Sequence, residues 1–267
     1  MARAHPDPLR PRRFQRLRTI LALMLREMST RYGRSPGGYV WTVLEPVGGI
    51  AILVLILVVG LRIRTPSLGV NFPIFYATGM LALLFYQRIA AAVANALTFS
   101  RALLSYPGVT FVDALLARLS VQLLTNLVVM YIVLGGILLL FETRTLLDLP
   151  AILMALAMAA TLGFGIGCLN AYLFPTFPLW ESFWGILTFP LFLISGIFFI
   201  YEDLPPLGQQ ILWYNPMIHV TGQMRVGFYP TYTPSYIEPV YVFAFGLVPM
   251  ALGLMLLRRH HARILNL

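Results

Sequence analysis

The chain has 267 residues, of which 59% are hydrophobic and only 11% are charged, and its mean hydropathy is +0.80. Soluble domains carry roughly 25% charged residues, so this composition excludes a soluble protein and indicates an integral membrane protein. The formal net charge is +9 and all 19 basic residues are arginine, so the chain lacks the lysine of a phosphate-binding P-loop and of a Schiff-base nucleophile.

A basic N-terminal segment, residues 1–38, precedes the first long apolar run. Between Phe14 and Met28, apolar residues recur at helical spacing, while the charged residues lie mostly on the other side. This pattern predicts a cytoplasmic amphipathic helix in the plane of the lipid headgroups. The simpler alternative is that the arginines only anchor the chain at the cytoplasmic surface.

Six segments are apolar enough to cross a bilayer as helices, since a span needs about 20 mostly apolar residues. They run approximately over Tyr39–Leu61, Pro73–Phe99, Ala114–Phe141, Leu149–Phe174, Trp184–Ile200 and Val240–Leu257. We therefore predict an all-α membrane protein with six transmembrane helices in one domain, residues 39–257, followed by a basic cytoplasmic tail, residues 258–267.

The distribution of arginine predicts the orientation of these spans. With the N-terminus in the cytoplasm, fourteen arginines fall in inside segments, and only Arg62, Arg64, Arg144 and Arg225 fall in outside ones. Because basic residues are enriched on the cytoplasmic side of membrane proteins, we expect both termini to be cytoplasmic.

The second predicted span contains a charged residue, Arg88, in its interior. Arg88 follows Pro73 by 15 residues, about 22 Å along a helix, and an arginine at the bilayer centre costs at least ~2.5 kcal/mol on insertion scales. Gln87 beside it and Asn95 two turns later indicate that one side of this helix is wet. We expect all three to line a substrate pathway, with Arg88 attracting anions. The alternative is that Arg88 snorkels to the cytoplasmic interface.

The first predicted span carries Trp41 and Glu45 near its cytoplasmic end. Aromatic residues at span ends are typical of the interfacial belt, but Trp41 is also a candidate to line the same pathway. Glu45 is better explained by structural pairing with Arg31 or Arg34 in the basic segment before the span.

Residues 100–113 form a short amphipathic loop between the second and third predicted spans, broken by a Pro-Gly pair. Most loops of this size are simple connections. This one also has the length of a one- or two-turn helix offered to a cytoplasmic partner. Its central residues are Leu104, Ser105, Tyr106 and Pro107.

The long outside segment, residues 201–239, is amphipathic rather than polar. It predicts two short helices that re-enter the outer leaflet and are separated at Asn215–Pro216, with Asn215 capping the second helix and Pro216 in its first turn. Non-helical backbone at that depth needs protein or a water-filled cavity around it. The polar residues of the second helix are therefore expected to face a pore mouth: His219, Gln223 and, near its edge, Arg225.

Gly163, Gly165 and Gly167 fall inside the fourth predicted span. We expect them to allow close helix packing through a GxxxG face rather than to form a phosphate loop. His260 and His261 near the tail have no third ligand in the sequence, so no metal site is predicted.

Two motifs flank the predicted spans. One follows the pattern R-Y-x-x-S-x-x-G-x-x-W-x-x-x-x-P, and the other is N-P with an arginine nine residues after the proline. Their residues are Arg31, Tyr32, Ser35, Gly38, Trp41 and Pro46, then Asn215, Pro216 and Arg225. Together with the order of the spans, these motifs make the whole chain resemble the membrane subunits of ABC-type polysaccharide exporters, in particular the inner-membrane subunits of capsule export systems.

The resemblance implies a homodimer of six-span subunits in the bacterial inner membrane, bound to two copies of a separate ATP-binding cassette ATPase. ATP and Mg²⁺ would bind that partner, and this chain would have no catalytic residue, cofactor or metal of its own. The substrate would be an acidic, lipid-linked capsular polysaccharide, passed on to periplasmic co-polymerase and outer-membrane export proteins, and no nucleic acid would be bound. The loop at 100–113 would be the coupling helix that seats in the ATPase, and 201–239 would supply periplasmic re-entrant helices.

Two other functions are compatible with the sequence. One is an ABC-type exporter of another lipid-linked glycan, a lipid or a drug. The other is a membrane-embedded transferase acting on lipid-linked sugars. Such enzymes usually carry acidic or histidine clusters at one membrane face, whereas here Glu202 and Asp203 are adjacent and Glu238 is distant in sequence.

Overall fold

The computed structural model describes residues 15–32, 38–60, 65–104, 106, 108–143 and 145–265. Within these ranges the chain is helical and contains no β-strand. The α-helices in the described part are α1 Gln15–Tyr32, α2 Gly38–Leu55, α3 Phe72–Ala94, α4 Ala96–Leu104, α5 Phe111–Leu140, α6 Leu149–Thr176, α7 Pro178–Ile194, α8 Pro206–Leu212, α9 Pro216–Val226 and α10 Pro239–Leu265. A π-helical turn, Ile56–Gly60, extends α2, and a 3-10 turn, Tyr201–Asp203, precedes α8.

Five helical segments of the described residues are long and apolar enough to cross a membrane. They are Val40–Gly60, Phe72–Leu104, Phe111–Leu140, Leu149–Thr176 and Pro239–His261. Each overlaps one of the predicted spans. The chain is therefore a multi-pass membrane protein with an all-helical fold.

The predicted bounds of the fifth span, Trp184–Ile200, are wrong. The helix in this region, α7, runs from Pro178 to Ile194. Proline is favoured in the first turn of a helix, which sets its start, and Gly196 adopts a φ of +74° that turns the chain out of the helix. With 17 residues, α7 is about 26 Å long, slightly shorter than a bilayer core of about 30 Å.

The helix α3 is the centre of the fold. Most of its side chains are buried, and it packs against α2, α5, α6 and α9. With α4 it forms a segment of 33 residues, about 50 Å long, which exceeds the ~30 Å core of a bilayer. The two helices meet at Asn95, whose side chain donates a hydrogen bond to the Ala91 carbonyl (3.0 Å). The end of the bundle to which α4 leads is named the α4 end, and the opposite end, where α8 and α9 lie, is named the α9 end.

Glycines in α6 allow close contact with two neighbouring helices. A Cβ on Gly163 would lie 2.8 Å from the Tyr86 carbonyl oxygen of α3, and a Cβ on Gly165 would overlap the Gly246 carbonyl oxygen of α10. Helices in lipid associate through such small-residue contacts. The packing role predicted for these glycines is confirmed, and α6 is held between α3 and α10.

The N-terminal helix α1 packs against α5 through a buried ion pair. Glu27 and Arg118 are 4% and 7% exposed, and Glu27 Oε1 lies 2.5 Å from Arg118 Nη1. The Arg118 guanidinium also lies over the Phe99 ring of α4, with Cζ 3.8 Å from the ring centroid. Removing one partner of a buried pair leaves a buried charge, at a cost of ~3–5 kcal/mol. This contact therefore joins α1, α4 and α5 at the α4 end.

The segment between α7 and α10 forms the α9 end of the bundle. Its two short helices, α8 and α9, are separated at Asn215–Pro216, as predicted. The Asn215 side chain accepts a hydrogen bond from the Met217 N–H and donates one to the Ile194 carbonyl, both at 3.0 Å. Asn215 thus caps α9 and attaches it to the end of α7. From there α9 packs against α3 and α6 with most of its side chains buried.

Two helices, α2 and α7, lie at the edges of the bundle. None of the side chains of α7 is buried, and among the described side chains of α2 only Pro46 and Ile50 are. Apolar surface of this extent in a membrane protein contacts acyl chains or another subunit.

We expect Gly165→Ala to destabilise the fold by about 1–3 kcal/mol, because the added methyl group meets backbone rather than a flexible side chain. The matched control is Gly135→Ala in α5, where an added Cβ has no atom within 4 Å and alanine favours the helix by up to about 1 kcal/mol. The measurement is the thermal unfolding midpoint of each variant in detergent. Equal midpoints would contradict the importance of the close contact between α6 and α10.

Candidate functional site

A groove of about 660 Å³ lies between α3, α6 and α7. Its polar lining residues come from all three helices and are Gln87, Asn95, Asn170, Glu181 and Thr188. Its aromatic lining residues are Tyr86, Phe174, Trp184, Phe189 and Phe192. The groove thus combines amide, hydroxyl and carboxylate groups with aromatic rings inside an otherwise apolar bundle.

Two tryptophans shape the groove near the start of α7. Trp180 Nε1 donates a hydrogen bond to Asn170 Oδ1 (3.0 Å), which ties α7 to α6. The Trp180 ring lies 6.1 Å from the Trp184 ring at an interplanar angle of 34°. Trp184 then forms part of the groove wall, where an aromatic face beside hydrogen-bonding groups suits a ligand with both apolar faces and hydroxyl edges.

The structure brings Gln87 and Asn95 together on the groove side of α3, eight residues or two helical turns apart. Sequence reasoning missed their neighbours Asn170, Glu181 and Thr188. These residues lie on α6 and α7, and the periodicity of α3 does not show which helices pack beside it. Glu181 and Thr188 are seven residues apart, a spacing that places both on one side of a helix. This signal becomes visible once the bounds of α7 are known.

Arg88 points to a different side of α3, toward α2 and α5. Its Nη2 lies 2.9 Å from Glu45 Oε2, and its Nη1 donates to Asn126 Oδ1 at 3.3 Å. The Asn126 amide in turn donates to the Gln122 carbonyl (2.9 Å), which fixes its orientation. Arg88 therefore joins three helices, and its place in a substrate pathway stays a prediction.

Trp41 and Glu45 lie one turn apart on α2. Trp41 is 69% exposed, and Glu45 exposes 55% of its side chain. The side chains of Arg31 and Arg34, which the sequence suggests as partners of Glu45, lie outside the part of the chain that the structure describes. Sequence reasoning missed Arg88 as a partner because it lies 43 residues away, beyond any local spacing rule.

The predicted coupling loop lies between the helices α4 and α5. The helix α4 stops at Leu104 and α5 starts at Phe111, both at the α4 end of the bundle. The side chains of Thr110 and Asp113 form a reciprocal capping box at the start of α5. This capping box fixes the side of the loop that leads into α5.

Tyr106 lies within this loop and is 64% exposed. Gly108 follows with a φ of +106°, a conformation that favours glycine. Ser105 and Pro107 lie outside the described residues. The structure thus presents an exposed aromatic residue between the end of α4 and the start of α5, and contact of this loop with an ATPase stays a prediction.

Arg225 is buried at the α9 end, with 1% of its surface exposed. Its Nη1 and Nη2 donate to the carbonyls of Phe199 (2.8 Å) and Ile197 (3.1 Å). Its Cζ lies 4.0 Å from the centroid of the Phe75 ring on α3. The guanidinium therefore holds the non-helical segment after α7 against the centre of the bundle.

His219 and Gln223, predicted to face a pore mouth, contact other parts of the chain. His219 is fully buried, its Nε2 donates to the Trp213 carbonyl (2.8 Å), and its Nδ1 accepts from the Glu238 N–H (3.2 Å). Burial lowers the pKa of His219, which fits a neutral ring with both nitrogens in use. Gln223 is half-buried, and its Nε2 lies 3.5 Å from the Ala151 carbonyl oxygen. Roles for His219, Gln223 and Arg225 in a substrate pathway stay predictions.

Tyrosines that sequence reasoning did not single out cover α9. The Tyr232 hydroxyl donates to Glu202 Oε2 (3.0 Å), and the Tyr236 hydroxyl donates to the Ile218 carbonyl (3.3 Å). Burial raises the pKa of Tyr236 to about 12, so its proton is retained for this bond at neutral pH. A Cβ on Gly222 would overlap the Tyr236 hydroxyl, so this glycine makes room for the tyrosine.

The chain is similar to known proteins along most of its length. A family model described as ABC-2 type transporter matches residues 18–229. The chain is 27% identical over 248 residues to the polysialic acid transport protein KpsM of Escherichia coli. The aligned region covers 93% of this chain and 95% of that protein. It is 27% identical over 237 residues to the capsule polysaccharide export inner-membrane protein CtrC of Neisseria meningitidis serogroup B, 89% of each chain. It is 25% identical over 242 residues to the capsule polysaccharide export inner-membrane protein BexB of Haemophilus influenzae, 90% of each chain.

We expect Arg225→Lys to destabilise the α9 end by about 2–3 kcal/mol, because lysine lacks the planar fork that donates to two carbonyls. The control is Arg258→Lys on α10, where the side chain is exposed. The measurement is the rate of proteolytic cleavage within residues 195–203, together with the unfolding midpoint. If both variants are cleaved at the wild-type rate, Arg225 does not anchor this segment.

Proposed function

The chain belongs to the ABC-2 type transporter family, and from this membership we propose that it is the membrane-spanning subunit of an ATP-driven exporter of capsular polysaccharide. The names of its relatives support this substrate class, since one transports polysialic acid and two are capsule polysaccharide export proteins of the inner membrane. ATP and Mg²⁺ would bind a separate ATPase chain. The bacterial inner membrane is the corresponding location.

The observation that carries this proposal is the groove between α3, α6 and α7. A sugar chain presents hydroxyl groups at its edges and apolar C–H groups on its faces. The groove offers amides to the first and aromatic rings to the second. This combination favours a glycan over an apolar lipid or drug as the transported molecule.

The remaining candidate residues extend the path beyond the groove. Trp41 and Arg88 would act near the α4 end, where Arg88 supplies the positive charge that suits an acidic glycan. At the α9 end, His219, Gln223 and Arg225 would shape the exit, with Arg225 fixing the backbone around it.

We further propose six membrane crossings, with α7 as the fifth. Its uniformly exposed side chains suit a helix that faces lipid or a second subunit. In α8, Leu207 and Ile211 are 68% and 63% exposed, which supports re-entry of α8 and α9 into the outer leaflet. Six crossings would place both termini on the same side, and the distribution of arginine favours the cytoplasmic side, with a cytoplasmic arm at 1–38, a membrane domain at 39–257 and a cytoplasmic tail at 258–267.

The helix α1 is suited to an interfacial position. Leu17, Leu21, Leu25 and Met28 are between 40% and 68% exposed, and their spacing places them along one side of the helix. Glu27, on another side, is buried against α5. A helix with an exposed apolar stripe on one side and an ion pair to α5 on another suits the boundary between headgroups and acyl chains.

A homodimer would complete the path. The groove is bounded on one side by α7, whose side chains are exposed, and sugar hydroxyls are costly to expose to lipid. A second copy packed along this edge would enclose the groove. Two ATPase chains would bind at the α4 end, and periplasmic co-polymerase and outer-membrane export proteins would receive the glycan on the other side.

We expect Trp184→Ala to reduce export about 2- to 10-fold, the change that corresponds to an aromatic contact of about 0.5–1.5 kcal/mol. The control is Ile186→Ala on the same helix, which is 72% exposed and does not line the groove. The measurement is surface polysaccharide per copy of the protein in the membrane. Equal export by the two variants would mean that the groove does not carry the glycan.

We expect Tyr106→Cys, in a Cys168→Ala background, to cross-link to the ATPase subunit through a thiol-to-amine reagent, because Tyr106 is exposed at the α4 end. The control is Tyr214→Cys, at a position that is 69% exposed at the α9 end. The measurement is the mass shift of the cross-linked pair on a gel. Cross-linking through Tyr214→Cys alone would reverse the assignment of the ATPase-facing end.

A further inference from the structure

The two partners of Arg88 differ in how firmly the fold holds them. Asn126 is 3% exposed on α5, and its amide is fixed by the hydrogen bond to the Gln122 carbonyl. Glu45 exposes 55% of its side chain and lies on the edge helix α2. Asn126 is therefore a fixed partner, whereas Glu45 is a partner that the described residues of the chain leave largely uncovered.

Both charges lie inside the apolar slab, toward the α4 end. Glu45 is five residues into the span that begins at Val40, about 8 Å along the helix. Arg88 is 16 residues from Phe72 at the far end of α3, about 24 Å. In a core of about 30 Å, both distances place the pair roughly 6–8 Å inside the same boundary. An arginine at this depth is costly unless it has a partner, so Arg88 needs an anionic group beside it.

The Arg88 guanidinium can accept a different anion at the same position. Carboxylate and phosphate groups bind the same planar fork. Because Nη1 is held by Asn126 and only Nη2 contacts Glu45, an incoming anion can replace Glu45 while Arg88 stays in place. Trp41, one turn from Glu45 and 69% exposed, offers an aromatic face for a sugar ring that bears such a group.

We propose that the Glu45 carboxylate is an internal competitor, which occupies Arg88 until an anionic group of the substrate displaces it. The charge of Arg88 is compensated before and after the exchange, by one anion or the other. The incoming group is the carboxylate of an acidic sugar or the phosphate of a lipid anchor. Naming the substrate a glycan rests on the proposed function, whereas the competition at Arg88 does not.

The exchange has a structural consequence. The pair between Glu45 and Arg88 is the ion pair that joins α2 to α3 in the described part of the chain. Its opening releases one side of an edge helix that also packs against the core through apolar residues such as Ile50, Val43 and Val54. A neutral glycan cannot displace a carboxylate from a guanidinium, so Glu45 also acts as a specificity-determining residue.

The test measures binding of a carboxylated oligosaccharide and of a neutral oligosaccharide of the same length to the full chain in phosphatidylcholine nanodiscs. The variants are Glu45→Gln, Arg88→Gln and the double variant, which leaves no unpaired charge at the site if a single variant fails to fold. The control is Asp203→Asn, which removes an exposed carboxylate at the α9 end.

If Glu45 occupies Arg88 about nine-tenths of the time, Glu45→Gln should bind the carboxylated oligosaccharide about tenfold more tightly than the wild type. Binding of the neutral oligosaccharide should not change, and Asp203→Asn should behave as the wild type. Arg88→Gln and the double variant should bind both oligosaccharides equally weakly. Unchanged or weaker binding by Glu45→Gln, a preference for the carboxylate that survives Arg88→Gln, or no carboxylate binding by any variant would overturn the proposal.

Nanodiscs that contain phosphatidylglycerol distinguish the two sources of the anion. If the phosphate of a net anionic lipid takes the place of Glu45, these discs should abolish the gain seen with Glu45→Gln, whereas a site for sugar carboxylate should keep it. Polysaccharide export by cells that lack the chain tests the proposed function separately. If cells that lack the chain lose export while Glu45→Gln leaves the affinity for the carboxylated oligosaccharide unchanged, the chain is an exporter subunit but Glu45 is not an internal competitor.

Discussion

The close contact of α6 with α3 and α10 is the constraint on which the rest of the fold depends. Backbone meets backbone at Gly163, Gly165 and Gly246, and in lipid this kind of packing, rather than the hydrophobic effect, holds helices together. The helix that follows α6, α7, packs along another side of it. That position leaves a groove between α3, α6 and α7, bounded at the edge of the bundle by a helix with exposed side chains.

Three arginines within the bundle are compensated in three different ways. Arg118 has a buried carboxylate and an aromatic ring, Arg225 has two backbone carbonyls and an aromatic ring, and Arg88 has a carboxylate and an amide. A guanidinium with five donors suits each arrangement, and each joins elements that are distant in sequence. Arg88 differs from the other two because its carboxylate partner is exposed, which makes it the contact most easily exchanged.

The central helix α3 presents polar side chains on two different sides. One side carries Gln87 and Asn95 toward the groove of polar and aromatic side chains, and another carries Arg88 toward α2 and α5. Beyond Asn95, α3 is followed by α4 and then by the loop with the exposed Tyr106, so both sets of side chains lie on the helix that leads to this loop.

Hydropathy and residue chemistry along the chain determined the all-helical membrane class, five of the spans, the break at Asn215–Pro216 and the packing role of the glycines in α6, because each depends on local properties. The bounds of α7 were wrong because the apolar run continues past Gly196, and the chain there is held by Arg225, 29 residues further on. Only the tertiary structure decided what each polar residue faces. Gln87 and Arg88 are adjacent in sequence, yet a helix turns 100° per residue, so one lines the groove and the other binds Glu45, 43 residues away. Partners at such separations are set by which helices pack together, and that information is absent from the periodicity of any single helix.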